Sequence, residues 1–470
     1  MAHQSLKRKL AFASADIFGG GSFNIINFLY PGFLALTVGI SPYWIGVVML
    51  VARLWDAFTD PLMGHLSDRT SSKWGKRRIY MIFASPFVFI SMYFLFFPYA
   101  FSETALRVIA VLLSYLVFTT VQTSVMIPYY SLSSEITSDY QERAVYNSYR
   151  LGFSIFASIL CVAVPGIIVD LFESDATGYQ VMSLSFGLLF ALSVLMTGLF
   201  AREEIITPPV ETKMSFKSLT KPLKLVPFRQ YLGMFLVLQM SMAIMSGLFF
   251  FYIDYHVVKD VTAQGESSMV GLIAAALMFS MQIVALPIYI KMIEKKGKTF
   301  AYRFGALLWI VSALFILIIP ANVNPIAVYA LGAVMGFGIS GPGLVPHTMY
   351  GDVVDAGQLM FKERLDGQMS GFTNFINKIA QAVGLAIVMF LIGLAGFTER
   401  EPGAPVITSQ PDSATLMIRL IMVIAPFIFM GIGILISFRY KINAQRQKEL
   451  AKAIEDKDSD YQVLLDELSS

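Results

Sequence analysis

The chain's 470 residues are 56% hydrophobic and only 14% charged, with a mean hydropathy of +0.65. Soluble domains carry about a quarter charged residues, so this composition argues against a soluble protein and fits a polytopic α-helical membrane protein. The net charge of +3 is too small for a nucleic-acid partner, and the single cysteine, Cys161, lies in an apolar run and reads as a packing residue rather than half of a disulfide.

A span of about 20 apolar residues crosses a ~30 Å hydrocarbon core. Twelve such spans are expected, near residues 9–38, 42–66, 78–98, 104–135, 147–172, 177–200, 228–258, 267–291, 299–320, 323–350, 368–395 and 413–438. The first is too long for a signal-peptide core and reads as a membrane helix. Basic residues gather in alternate loops: Arg69, Lys73, Lys76, Arg77 and Arg78 after span two; Lys213, Lys217, Lys221 and Lys224 between spans six and seven; Lys291, Lys295, Lys296, Lys298 and Arg303 after span eight. The positive-inside rule makes these loops cytoplasmic, and an even span count then places both termini in the cytoplasm, with the plasma (inner) membrane as the location.

The polar segment 201–227, with Pro208, Pro209 and Pro222, separates six spans from six. The expected organisation is an N-terminal bundle over 1–200, a cytoplasmic linker over 201–227, a C-terminal bundle over 228–438 and a cytoplasmic tail over 439–470. Two halves around a central cavity suit an internally repeated carrier. Ser72 to Arg78 after span two resembles Glu294 to Lys298 at the equivalent place in the second half. The tail is charged and reads as a short, solvated helix.

Charged residues inside the spans are the functional candidates, since each ionised carboxylate in hydrocarbon costs on the order of 3 kcal/mol or more. Asp56 and Asp60 stand at i and i+4 in span two, on one helix face. A bound cation, protons or a basic partner must neutralise them, and the neighbouring Arg53 can offset only one. Asp16 is isolated in span one, before a flexible Gly19-Gly20-Gly21 run. Arg150 in span five and Lys378 in span eleven are basic residues expected to face a cavity or a carboxylate. Asn374, Lys378 and Gln381 fall at i, i+4 and i+7, a polar stripe on an apolar helix. Span ten carries Pro342 and Pro346 before His347, which reads as a broken or kinked helix. Asp254 and His256 lie near the outer end of span seven.

Gly64-His65-Leu66-Ser67-Asp68-Arg69 followed by Gly75-Lys76-Arg77-Arg78 resembles the loop 2–3 signature of the major facilitator superfamily. Val51 to Gly64, with Arg53-Leu54-Trp55-Asp56-Ala57-Phe58-Thr59-Asp60-Pro61, resembles the glycoside–pentoside–hexuronide:cation symporter family, typified by the melibiose permease. Ile127 to Leu132, Glu142-Arg143, Arg150, Asp352-Val353-Val354-Asp355, Glu363-Arg364 and Lys378 match as well, so the resemblance spans nearly the whole chain except the tail. It implies an all-α fold of twelve transmembrane helices in two six-helix bundles. It also implies a cation site at Asp56 and Asp60, to which Thr59 and Thr123 can add neutral oxygens, and a solute site drawing on Asp16, Arg150, Tyr130, Met126 and Lys378, to which the polar stripe adds Asn374. The sequence departs from the family where Thr59 replaces an asparagine, Met126 an aspartate and Tyr130 a tryptophan. The first leaves Na⁺ or H⁺ open as the coupling ion. The others weaken melibiose-type galactoside recognition, although tyrosine still stacks and donates a hydrogen bond. Vertebrate lysolipid symporters resemble the same family.

Asp68, Arg69, Arg77 and Arg78, with Asp352, Asp355 and Arg364 at the matching edge of the second half, are candidates for charge pairs that latch the cytoplasmic face. No metal-ligand spacing, nucleophile elbow or phosphate loop is present, so an enzyme or an ATP-driven pump is not expected. The expectation is a monomeric, alternating-access symporter without a cofactor, coupled to Na⁺ or H⁺ and importing a sugar or sugar derivative, in contact only with its solute and membrane lipids. The alternatives are a Na⁺-coupled carrier of lipids or amphiphiles, and a membrane sensor that does not transport.

Overall fold

A computed structural model describes residues 6–136, 140–201, 203, 220–258, 264–362, 365–399, 407 and 409–455. Hydrocarbon offers no partners for backbone N–H and C=O groups, so a chain this apolar must satisfy them within helices, and no strand occurs among the described residues. The helices are α1 (Leu6–Phe28), α2 (Tyr30–Leu36), α3 (Pro42–Arg69), α4 (Arg78–Leu95), α5 (Thr104–Glu135), α6 (Tyr140–Asp170), α7 (Asp175–Phe200), α8 (Val226–Tyr252), α9 (Gln264–Lys296), α10 (Lys298–Ile318), α11 (Pro325–Phe361), α12 (Asp366–Leu394), α13 (Asp412–Arg439) and α14 (Ala444–Glu455). Ten of them are long and apolar enough to cross a membrane. The remaining two crossings are α1–α2, diluted by Asp16, Asn24, Asn27 and three glycines, and α3, which carries Arg53, Asp56 and Asp60. The first expected span is broken at Leu29, where Pro31 opens α2 as a separate helix of about two turns.

Two compact units organise the described residues. One draws on residues 1–211, 249–272 and 386–415, the other on 212–248, 273–385 and 416–470. The first unit thus takes in the C-terminal ends of α8 and α12 together with the start of α9.

Within the first unit the glycine run of α1 is a packing surface, not a flexible stretch. A Cβ on Gly20 would stand 2.5 Å from Ser154 Oγ, and one on Gly21 2.7 Å from Cys161 Sγ and 3.0 Å from the Phe190 ring. The missing side chains let α6 and α7 close on α1, and buried Cys161 fills the space. Ser14 and Thr197 hydrogen-bond each other at 3.0 Å across α1 and α7. Gly20→Val is expected to overpack this seam and cost about 1–3 kcal/mol, read as a lower melting temperature in detergent. Gly32→Val, where a Cβ meets open space, serves as the neutral control.

The two loops that resemble each other in sequence share one backbone feature. Gly75 and Gly297 occupy equivalent loop positions and both take a left-handed φ, +103° and +88°, which glycine adopts without a Cβ penalty. Each directs the chain into a helix, α4 or α10. In the second unit, of the break or kink expected at Pro342 and Pro346 the break does not occur, since α11 continues through both as one helix; the His347 ring meets Phe235 edge-on at 6.0 Å. The tail helix α14 packs against α11, burying Leu450 and Ala453, so one face is docked rather than solvated.

Candidate cation and solute sites

Two turns of α3 carry Arg53, Asp56 and Asp60. Asp56 is 2% exposed, and its Oδ2 lies 3.5 Å from Arg53 Nη1. Thr123 Oγ1, from α5, donates to Asp60 Oδ1 at 2.8 Å. The Thr59 hydroxyl donates to the Asp56 backbone carbonyl at 3.4 Å. Phe23 of α1 flanks the guanidinium, 6.0 Å from its ring centroid. Two carboxylates and one guanidinium carry a formal charge of −1, the charge that one monovalent cation cancels. Arg53 is itself buried beside the acids.

A second cluster is built from α1, α5 and α6. Arg150 Nε lies 3.1 Å from Asp16 Oδ2, and the guanidinium sits over the Tyr130 ring at 5.5 Å and the Tyr129 ring at 6.0 Å. Tyr129 is fully buried, whereas Tyr130 is 46% exposed. Met126 is buried against Gly19, whose Cβ position is also within 2.9 Å of Asp16 Oδ1. The thioether thus fills space beside the ion pair where the resembling family has an acid. Flanking this cluster in sequence, Leu10, Ile17, Tyr149, Gly152, Phe153 and Phe156 line an almost wholly apolar, open groove of about 530 Å³. Ligand sites run from roughly 300 to 1,000 Å³. Nothing in the spacing of these residues signalled the groove, because its walls belong to helices remote in sequence.

Asn374 and Lys378 belong to α12 of the second unit. Asn374 is exposed and Lys378 half-buried, while Gln381 donates to Asn377 Oδ1 at 3.1 Å. Asp254 and His256 lie in a π-turn (Ile253–Val257) that ends α8, with the His256 ring stacked on Tyr252 at 5.5 Å.

Two further charge clusters stand at the ends of the loops that carry the glycine repeat. Arg77 grips Glu135, the last residue of α5, with Nη2–Oε1 at 3.0 Å and Nε–Oε2 at 3.2 Å, and also reaches Asp68 and Ser67 Oγ. Burial works against the charged guanidinium, but its bonds to Glu135 and Asp68 outweigh this and hold the Arg77 pKa above its ordinary value. Glu203 accepts from the backbone N–H groups of Lys76, Arg77 and Arg78 at 2.7, 2.7 and 3.0 Å, capping α4. Arg78 in turn caps α7, with Nε 2.8 Å from the Gly198 carbonyl. In the second unit, Lys298 pairs with Asp352 and donates to the Thr348 carbonyl at 2.9 Å; Asp355 follows one turn later on α11. Arg69 is exposed outside the first cluster. Arg364 and Glu363 lie outside the described residues, as do the side chains of Glu142 and Arg143. Glu135 and Glu203 are the members that sequence reasoning missed. Each is the first acid met after an apolar span, a signal that becomes specific only once the helix ends are known.

A family model described as MFS/sugar transport protein matches residues 11–444. An uncharacterized symporter of Synechocystis sp. is 26% identical, covering 93% of this chain and 96% of its own length. A sodium-dependent lysophosphatidylcholine symporter of Xenopus tropicalis is 24% identical over 96% of this chain and 91% of its own. Among solved structures, a bacterial homologue of the human lysosomal transporter Spinster superposes with a TM-score of 0.64 at 13% identity, over 92% of this chain and 96% of the other. That likeness shows a shared fold.

Proposed function

Because the chain belongs to the MFS/sugar transport family and is an integral membrane symporter of the major facilitator fold, we propose that it couples Na⁺ entry to uptake of a single-chain amphiphile with a zwitterionic head. The observation that carries this reading is the open apolar groove walled by Leu10, Ile17, Tyr149, Phe153 and Phe156 of α1 and α6, the same two helices that hold the Asp16–Arg150 pair. A sugar needs a pocket rich in paired hydroxyl partners, and the acid that would supply them is here a buried methionine. An acyl chain needs what the groove offers: a long apolar wall along two turns of α1 and two of α6. The head is matched by exchange. Arg150 trades Asp16 for a phosphate, as guanidinium readily pairs with phosphate oxygens, and Asp16 with the tyrosine faces receives a quaternary amine.

Coupling follows from charge. Without the ion, the α3 site holds a formal −1, and moving it through a low-dielectric constriction is costly. Na⁺ among the carboxylates and the Thr123 hydroxyl brings it to zero, consistent with the preference of hard cations for oxygen ligands. The sodium-dependent relatives support Na⁺ over H⁺. The linkage is reciprocal: if Na⁺ tightens solute binding, solute tightens Na⁺ binding by the same factor. In this reading both termini and the loop clusters around Arg77 and Lys298 are cytoplasmic, and these clusters latch that face.

The sugar reading is favoured by one feature, the exposed face of Tyr130, which suits a pyranose ring. A panel of lysophosphatidylcholine, other lysophospholipids, glycosides and uronates, tested for thermal stabilisation with and without NaCl, separates the two. Lysophosphatidylcholine is expected to stabilise the protein more in Na⁺ than in K⁺, and Phe153→Ala is expected to weaken it at least 5-fold. Stabilisation by a glycoside alone would overturn the amphiphile assignment.

A further inference from the structure

We infer that Tyr115 of α5 is a positioning residue of the cation site: when Na⁺ takes Asp56, the Tyr115 hydroxyl accepts the Arg53 guanidinium that Asp56 gives up. The inference rests on the reading of the α3 carboxylates as a Na⁺ site and adds to it an acceptor from a second helix.

Arg53 sets the problem. Its Nη1 lies 3.5 Å from Asp56 Oδ2, so the guanidinium and an entering cation compete for one carboxylate. Arg53 is buried, and a guanidinium that loses its acceptor away from water is costly. Phe23 flanks it at 6.0 Å, which offers a π face but no lone pair. The Thr59 and Thr119 hydroxyls are turned to backbone carbonyls of their own helices, at Asp56 and Leu116.

The packing of α3 on α5 supplies the acceptor. The two helices run side by side in the same direction. Trp55 Nε1 donates to Thr120 Oγ1 at 2.9 Å, Thr123 Oγ1 donates to Asp60 Oδ1 at 2.8 Å, and a Cβ on Gly64 would stand 3.8 Å from Ile127 Cγ2. Followed back about two turns from Asp60 and Thr123, this register sets Tyr115 level with Ala52 and Arg53. Tyr115, Thr119 and Thr123 follow at intervals of four along the face of α5 that gives Thr123 to Asp60, and all three are buried. The Tyr115 phenol lies within electrostatic reach of both Arg53 and Asp56. Its ring is held edge-on by Tyr30, with 5.2 Å between centroids. Its oxygen is sealed from solvent and has no hydrogen-bond partner among the described residues. Native interiors rarely keep such a hydroxyl, because it gives up its bonds to water for nothing in return. Here it stands beside a cationic group that must change partners.

The exchange preserves the charge count. A phenol stays neutral at physiological pH, its ordinary pKa being about 10. Moving Arg53 from Asp56 to Tyr115 therefore leaves two carboxylates, one guanidinium and one Na⁺, a sum of zero. A carboxylate at 115 would hold Arg53 more firmly but restore a net −1.

The test uses purified full-length protein in detergent, without solute, with the melting temperature followed across a NaCl series in which K⁺ holds the ionic strength constant. Tyr115→Phe keeps the ring and removes only the acceptor. Its half-saturation by Na⁺ is expected to rise at least about 10-fold, the low end for a hydrogen bond to a charged group. Its melting temperature without Na⁺ is expected to equal or exceed that of the parent, because the deleted hydroxyl makes no bond among the described residues. A packing role alone would instead lower the Na⁺-free melting temperature and leave half-saturation unchanged. Tyr30→Phe removes the same atom from the neighbouring ring and is expected to keep the parental half-saturation. Equal half-saturation in the parent and in Tyr115→Phe, or an equal shift in Tyr30→Phe, would overturn the inference while leaving the cation site in place. Absence of Na⁺-dependent stabilisation in the parent would remove the cation site and this inference with it. The readout contains no amphiphile or sugar, so failure of the solute assignment leaves it intact.

Discussion

Asp60→Asn is expected to abolish gradient-driven accumulation, reducing it at least 100-fold, while exchange of solute across the membrane continues. The reason lies in the charge of the α3 site. With Asp60 neutral, Asp56 and Arg53 cancel each other at 3.5 Å, and the carrier no longer needs an ion to become neutral. A bound cation would now leave a net +1 in a low-dielectric setting. The loaded and empty carriers therefore lose the energetic distinction that couples them. The binding counterpart is measurable without flux: Na⁺ at 100 times its Kd stabilises a native state by about 2.7 kcal/mol. That gain is expected in the parent and is expected to be absent in Asp60→Asn. Retained cation-dependent uptake by the variant would remove Asp60 from the coupling site. Thr123→Val tests the same geometry more gently, since it deletes only the 2.8 Å bond to Asp60. It is expected to weaken Na⁺ binding while leaving coupling in place.

The second large effect is expected at Arg77. Its guanidinium holds Glu135 by two nearly parallel bonds, with both side chains buried. Removing one member of a buried pair leaves the other charge uncompensated and typically costs about 3–5 kcal/mol. Arg77→Ala is therefore expected to lower stability by that amount, and Arg77→Lys is expected to recover only part, because an ammonium cannot form the planar fork. Replacing both partners in Arg77→Met with Glu135→Leu is expected to restore most of the stability, since no buried charge is left. Chemical or thermal unfolding in detergent reads these differences. If the pair also latches the cytoplasmic face, the stable double variant separates the roles: normal unfolding with altered transport assigns the pair to the transport cycle, and normal transport assigns it to folding alone.

Much of the fold was legible because its determinants are local. An apolar run of sufficient length becomes a helix wherever lipid denies the backbone other partners, and eleven of the twelve expected crossings appear as continuous helices at nearly the expected places. The exception is span one, divided at Leu29. The Asp56–Asp60 pair was legible because a spacing of four has only one meaning on a helix. Local pattern misled where packing intervened. Three consecutive glycines read as flexible, yet Ser154, Cys161 and Phe190 press on α1 there and make it a seam. Two prolines read as a break or a kink, and α11 runs through them without a break. The charged tail read as solvated, yet Leu450 and Ala453 find a surface on α11.

By itself the sequence determined that this is a helical membrane protein with two acids four residues apart inside one predicted span. These properties follow from hydropathy, charge placement and a spacing along one helix. Only the tertiary structure decided that Thr123 of α5 donates to Asp60, that Arg150 pairs with Asp16, and that Glu135 and Glu203 complete the loop clusters. Each of these depends on side chains brought within about 3–4 Å by helix packing, and a linear pattern carries no record of which remote faces will meet.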